Sequence, residues 1–105
     1  RELGDLRNEG VTLGNLGTMY AQLGQLEQSQ ACYRLALDIA YNLGDWYNVA
    51  IRYWNLGLVL KELGQYTEAI DLLKKSISYK IENNSFDIDK DIEFLRAVYK
   101  EIEKP

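Results

Sequence analysis

Histidine is absent from this chain, which removes the commonest general base and the commonest metal ligand together. Cysteine occurs once, at Cys32, so no internal disulfide can form and a reducing, cytoplasmic setting is expected. Cys32 lies in an apolar helical pattern, where cysteine behaves as a small buried hydrophobe. No apolar run approaches the roughly 18 residues of a membrane span. The opening "RELGD" has no basic region followed by an apolar core, so no signal peptide is visible, and it lacks a start methionine, as an excised fragment would. Lysine and arginine are outnumbered, giving a net charge of −4, and this argues against a phosphate-binding, nucleic-acid surface. What is present, 47% hydrophobic and 27% charged residues in a chain of 105, is the make-up of one ordinary folded domain.

The chain repeats itself. Sliding it by 40 residues pairs ten identities, grouped as "LGD" (Leu3, Gly4, Asp5 with Leu43, Gly44, Asp45), "NLG" (Asn15, Leu16, Gly17 with Asn55, Leu56, Gly57) and "LGQ" (Leu23, Gly24, Gln25 with Leu63, Gly64, Gln65), plus Asn8 with Asn48. Each unit reads as two helices. Asp5 and Asp45 occupy the expected N-cap positions. In the second unit Trp46, Val49, Ala50, Tyr53, Leu56, Gly57, Leu60 and Leu63 recur at spacings of three and four, the mark of an amphipathic helix. Gly64 should end it. A second run follows through Tyr66, Ala69, Ile70, Leu73, Ser76 and Ile77. The first unit repeats the scheme with Leu6, Gly10, Leu13, Gly17 and Tyr20, then Leu26, Ser29, Tyr33, Ala36 and Ala40. The short "GQ" links make the paired helices antiparallel neighbours. Gly17 and Gly57 fall on the buried stripe despite a cost of about 1 kcal/mol each relative to alanine. A close helix–helix approach against the small residues Ser29, Ala36, Ala69 and Ser76 would offset it.

Together these motifs resemble the tetratricopeptide repeat. The second unit supplies Tyr53, Leu56, Gly57, Leu60, Gly64, Tyr66, Ala69, Leu73 and Ser76, and the first supplies Leu13, Leu16, Gly17, Tyr20, Gly24, Leu26, Ser29, Tyr33 and Ala36. The resemblance covers about residues 1–82. It departs from the common unit of about 34 residues in its period of 40, and Tyr41 and Ile81 stand where the family often has proline. The longer form is similar to the repeats of spindle-orientation adaptors, kinesin light chains and bacterial regulators, some of which sense peptides. The resemblance implies an all-α solenoid of antiparallel helix pairs. The expected division is a single domain, 1–105, with residues 1–5 as the tail of a preceding repeat, 5–44 as repeat 1, 45–84 as repeat 2 and 85–105 as a capping helix. That helix should start at a Ser85 N-cap, run from about Phe86 to Glu103, and bury Ile88, Ile92, Leu95, Tyr99 and Ile102 under a polar back. Five principal helices are expected.

No catalytic constellation stands out, and neither an enzymatic role nor a cofactor is expected. Asp87, Asp89 and Asp91 match the first spacings of a calcium loop, but Ile92 and Val98 stand where glycine and glutamate are needed. Acidic residues in a first helical turn need no metal. "NNS" at 83–85 fits a glycosylation acceptor, but nothing implies secretion, so the loop-and-cap reading wins. Gly10 and Gly14 form a GxxxG in a helix too polar for a membrane, so that motif is set aside.

The face left after the core stripe is removed carries Asn8, Val11, Asn15, Thr18 and Gln22, at i, i+3, i+7, i+10 and i+14. Asn48, Ile51, Asn55, Leu58 and Glu62 occupy the matching positions, flanked by Trp54 and Lys61. In the resembled family this face lines a concave groove for peptide ligands. Asn15 and Asn55 would clamp an extended backbone, because an amide donates and accepts at once, with Trp54, Ile51 and Leu58 as apolar anchors. The competing reading pairs these asparagines with neighbouring helices. The face lacks repeated lysines and arginines to grip a terminal carboxylate, Lys61 alone being weak. The expected partner is therefore a protein or peptide segment, with neither nucleic acid nor membrane. Alternatives are a peptide-sensing segment of a larger bacterial regulator and self-association through an open N-terminal face.

Overall fold

The computed structural model describes residues 2–84 and 87–103. They form five helices: α1 (Leu3–Gln22), α2 (Leu26–Asn42), α3 (Trp46–Glu62), α4 (Tyr66–Asn83) and α5 (Asp89–Glu103), with no strand among the described residues. α1 packs on α2, α3 on α4, α2 bridges to α3, and α5 rests on α4. The all-α solenoid of paired helices expected from the 40-residue repeat is what the chain forms.

Three corners are turned by one device. Gly24, Gly44 and Gly64 take φ of +78°, +67° and +80°, a left-handed backbone that costs glycine nothing. At each, the glycine N–H donates to a carbonyl three residues back (Ala21, Tyr41, Lys61; 3.0 Å) and the next N–H to one five back (Tyr20, Ala40, Leu60; 2.9 Å). This is the Schellman pattern, and it satisfies carbonyls that a helix end leaves orphaned. α4 instead ends on Asn84 at φ +49°.

Asp45 caps α3, its carboxylate accepting from the Asn48 N–H at 3.3 Å. Asp5 does not cap α1. That helix starts two residues earlier, with Glu2 at the cap, and Asp5 lies in its first turn. No helix end precedes Gly4 among the described residues, so Gly4 stays helical and Asp5 meets the dipole from inside.

The glycines at 17 and 57 are close-approach positions. A Cβ at Gly57 would stand 2.8 Å from Leu73 Cδ2 and 3.2 Å from the Ala69 carbonyl oxygen. At Gly17 it would stand 2.7 Å from the Tyr33 ring. The space is thus filled by the large residues Tyr33 and Leu73, while the small residues let the backbones close in. Ser29 Oγ donates to the Gly17 carbonyl and Ser76 Oγ to the Ala50 carbonyl, both at 2.7 Å and both wholly buried. Ser76→Ala should lower stability by about 1 kcal/mol, the net worth of one buried hydrogen bond. Urea unfolding checks this, and an unchanged midpoint would show the bond to be idle.

The core runs through Tyr33, Leu56, Val59, Leu60, Ala69 and Leu72. Trp46 and Tyr66, expected in the buried stripes, are exposed. Trp46 joins a surface file of rings: Tyr41 meets it edge-on, Tyr79 stacks on it, and Tyr53 stacks on Tyr79, all with centroids 5.7–5.8 Å apart. Cys32 is half-buried.

α5 differs from its expected form. Ser85 and Phe86 lie outside the described residues, and the helix begins at Asp89, whose N–H is taken by the Asp87 carboxylate at 3.1 Å. Val98, 1% exposed, is its buried anchor, whereas Ile102 is 41% exposed. Ile88, Ile92, Leu95 and Tyr99 are half-buried. The helix is rotated so that Val98, rather than Ile102, faces the fold.

Candidate functional site

α3 is held between two neighbours. On one flank Arg52 lies against Gly14 of α1. On the other, Trp54 meets Phe94 of α5 with centroids 5.6 Å apart. The residues between those flanks, on the side away from Leu56 and Leu60, are Asn48, Ile51, Asn55, Leu58 and Glu62. Glu62 is exposed and the other four are half-buried. On α1 the matching Asn8, Val11, Asn15, Thr18 and Gln22 are all exposed.

These positions are not equally available. Asn48 is committed to the helix start, since its Nδ2 donates to Asp45 Oδ2 at 2.7 Å. Thr18 Oγ1 donates to the Gly14 carbonyl at 3.1 Å and lies 2.7 Å from the Tyr33 hydroxyl. Asn15 and Asn55 make no hydrogen bond with any described residue. Among the described residues no group of three or more His, Cys, Asp or Glu is placed to hold a metal.

Trp54 and Lys61 belong to the α3–α5 seam. The Lys80 ammonium sits 4.8 Å above the Trp54 ring and 2.6 Å from Asp91 Oδ2. Lys61 pairs with Glu101 at 3.5 Å and lies 5.9 Å from the Phe94 ring. Periodicity on one helix cannot show that a neighbour has taken a flank, which is why both were grouped with the open face.

The α1–α3 seam holds residues that the repeat did not single out. A small hollow opens there, its free volume of about 20 Å³ matching one or two waters. Val11 and Asn48 line it, with Arg7 and Arg52, above an apolar back wall that includes Ile39. Tyr33 reaches the seam from α2 by passing over Gly17. Burial pushes the Arg52 guanidinium below its ordinary pKa, with Tyr33 and Asp45 opposing that shift; it remains cationic. The signal in the sequence was the lack of repetition. Gly14 and Ala21 stand where the second unit has Trp54 and Lys61, which leaves room on α1 for a long side chain from α3.

The helix pairs, the glycine corners and the close approaches at Gly17 and Gly57 now stand beside a direct comparison. Residues 8–81, well over half of the chain, match the family described as Tetratricopeptide repeat. The chain belongs to the tetratricopeptide repeat family. Repeats of this family typically serve as non-catalytic protein-interaction modules. The chain is also 35% identical, over 65 residues, to the transcriptional activator NprA of Geobacillus stearothermophilus. That match takes in 62% of this tetratricopeptide chain and spans only 16% of the activator's length. No solved structure matches the chain. Among the described residues no helix is long and apolar enough to cross a membrane.

Proposed function

We propose that this tetratricopeptide segment binds an extended stretch of another protein along the outward faces of α1 and α3. The observation that carries the reading is the pair Asn15 and Asn55. They hold the same place in successive units, and neither spends its amide on a described residue. An amide that donates and accepts together suits a peptide backbone. Val11, Ile51 and Leu58 supply apolar surface beside them, and Asn8, Gln22 and Glu62 form a polar margin. Trp54 and Lys61 act at the edge, through α5, and Asn48 acts through the cap it braces.

The test is fluorescence anisotropy with fluorescein-labelled heptapeptide pools. Asn15→Ala combined with Asn55→Ala should weaken binding about tenfold or more, since two hydrogen bonds are worth about 2 kcal/mol. The melting curve should not move. Unchanged affinity would refute the groove assignment.

The likeness to a transcriptional activator favours one refinement, a segment that receives a short signalling peptide within a larger regulator. The parent sequence decides it, because such a regulator needs a linked effector domain, and a parent made only of repeats would overturn it.

A further inference from the structure

The rings of Tyr41, Trp46, Tyr79 and Tyr53 lie on the side of α3 away from the proposed groove. Nine residues separate Trp46 from Asn55, about two and a half turns at 3.6 residues per turn, so the two face opposite ways. α2 and α4 both pack on α3 and are tied to each other by Arg34 and Glu68 at 3.0 Å. Beyond that tie they wall an outer cleft, with Tyr41 and Tyr79 on the walls and Trp46 and Tyr53 on the floor. Tyr41 and Trp46 meet at 87° and form a corner whose two residues are 53% and 42% exposed.

The charges around this corner are one-sided. Ring faces are electron-rich and attract cations, and this chain places its own over Tyr53 (Lys75, 5.8 Å) and Trp54 (Lys80, 4.8 Å). No described cation stands over Tyr41 or Trp46. Asp38, one turn before Tyr41, and Glu82, one turn after Tyr79, share the faces of those rings on α2 and α4. Both are exposed, and neither has a hydrogen bond or ion pair with a described residue. The cations of the cleft are already engaged, Arg34 by Glu68 and Lys75 by Asp71 at 3.3 Å. Glu82 also helps to hold the proton on Tyr79, whose pKa is raised by burial first and then by Tyr53 and Tyr41.

We propose that this outer corner is a second docking site, which takes an arginine from a basic segment of a partner protein. A guanidinium is planar and weakly hydrated, so it lies flat on a ring while its N–H edge reaches a carboxylate. An ammonium is a strongly hydrated point charge and stacks less well. Proline would use the rings but leave Asp38 and Glu82 unanswered.

The probes are fluorescein-labelled heptapeptide pools with two positions fixed as Arg, Lys, citrulline or Pro. By anisotropy the Arg pool should bind about tenfold tighter than the citrulline pool, which keeps the shape and loses the charge, with Lys between them. Tyr41→Leu keeps every charge, and Asp38→Asn with Glu82→Gln keeps every ring. All three positions are exposed, so the melting curve should hold while the Arg preference falls severalfold. Asn15→Ala with Asn55→Ala should leave that preference intact, and in that variant the Arg pool should still shift the indole N–H resonance of Trp46. Arg and citrulline pools that bind alike would overturn the site. So would a preference that survives Tyr41→Leu or disappears with the two asparagines. A Pro pool that outbinds the Arg pool would give the corner to another partner and overturn it as well, as would a dimer in sedimentation that Tyr41→Leu dissolves.

Discussion

Gly57→Leu is expected to abolish cooperative folding. The new Cβ alone would stand 2.8 and 2.9 Å from Leu73 Cδ2 and Cγ, and 3.2 Å from the Ala69 carbonyl oxygen. Leu73 is fully buried and cannot swing away, and the Ala69 oxygen is backbone. Three further carbons must then fit where Leu73 and the Ala69 carbonyl already stand. The only relief is to part α3 from α4, which exposes Leu56, Leu60 and Leu73 together. Overpacking by single methylenes costs about 1–3 kcal/mol, so a whole leucine should cost about 5 kcal/mol or more. That equals the entire stability of many domains of this size. Gly4→Leu is the control, because a Cβ at Gly4 meets nothing within 4 Å and the position is exposed. Circular dichroism melting should show no transition for the first and a normal one for the second. A Gly57→Leu protein that melts like the wild type would remove the close-approach account of the repeat.

Asp91→Ala should release α5 while the two helix pairs stay folded. Lys80 is 8% exposed, with its ammonium 2.6 Å from Asp91 and 4.8 Å above Trp54. Taking one member from a largely buried ion pair costs up to about 3 kcal/mol, reduced here by the contacts Lys80 keeps, the Trp54 ring among them. α5 rests on α4 and on the Trp54 flank, with Val98 as its buried anchor and Glu101 paired to Lys61. Hydrogen exchange should show protection lost across Asp89–Glu103 and kept in α1–α4. Lys80→Met with Asp91→Leu should restore much of it, because a well-packed apolar pair can replace a buried ionic one. Full protection of α5 in Asp91→Ala would show the pair to be dispensable.

The parts of this architecture that recur were readable from the chain itself. Two copies of "NLG" and "LGQ" separated by 40 residues imply that Gly17 and Gly57, and Gly24 and Gly64, do the same jobs, and a repeated job is a geometric one. Asp45 was readable as a cap from its place after the "LG" break and before a periodic run. What escaped notice is what the units do not share. Asp5 copies Asp45 in sequence, but the segment before it is helical, so the copy lands in a first turn. Val98 and Ile102 fit one apolar stripe equally well, and only the docked angle of α5 chooses between them. On the candidate face, Asn15, Asn55, Ile51 and Leu58 followed from helical spacing, since spacing tells which residues avoid the core. Which of the remaining flanks meets another helix is a tertiary matter. Helical spacing alone therefore leaves Trp54 and Lys61 on the open face and does not single out Arg52.

The three glycine corners carry a further implication. Each is closed by the same two backbone bonds at the same lengths, so three successive corners are made by main-chain bonds rather than by side chains. Asn15 and Asn55 lie two corners apart, and the turns between them are closed by main-chain bonds that surface substitutions leave in place. The residues displayed on α1 and α3 can therefore change while those turns persist.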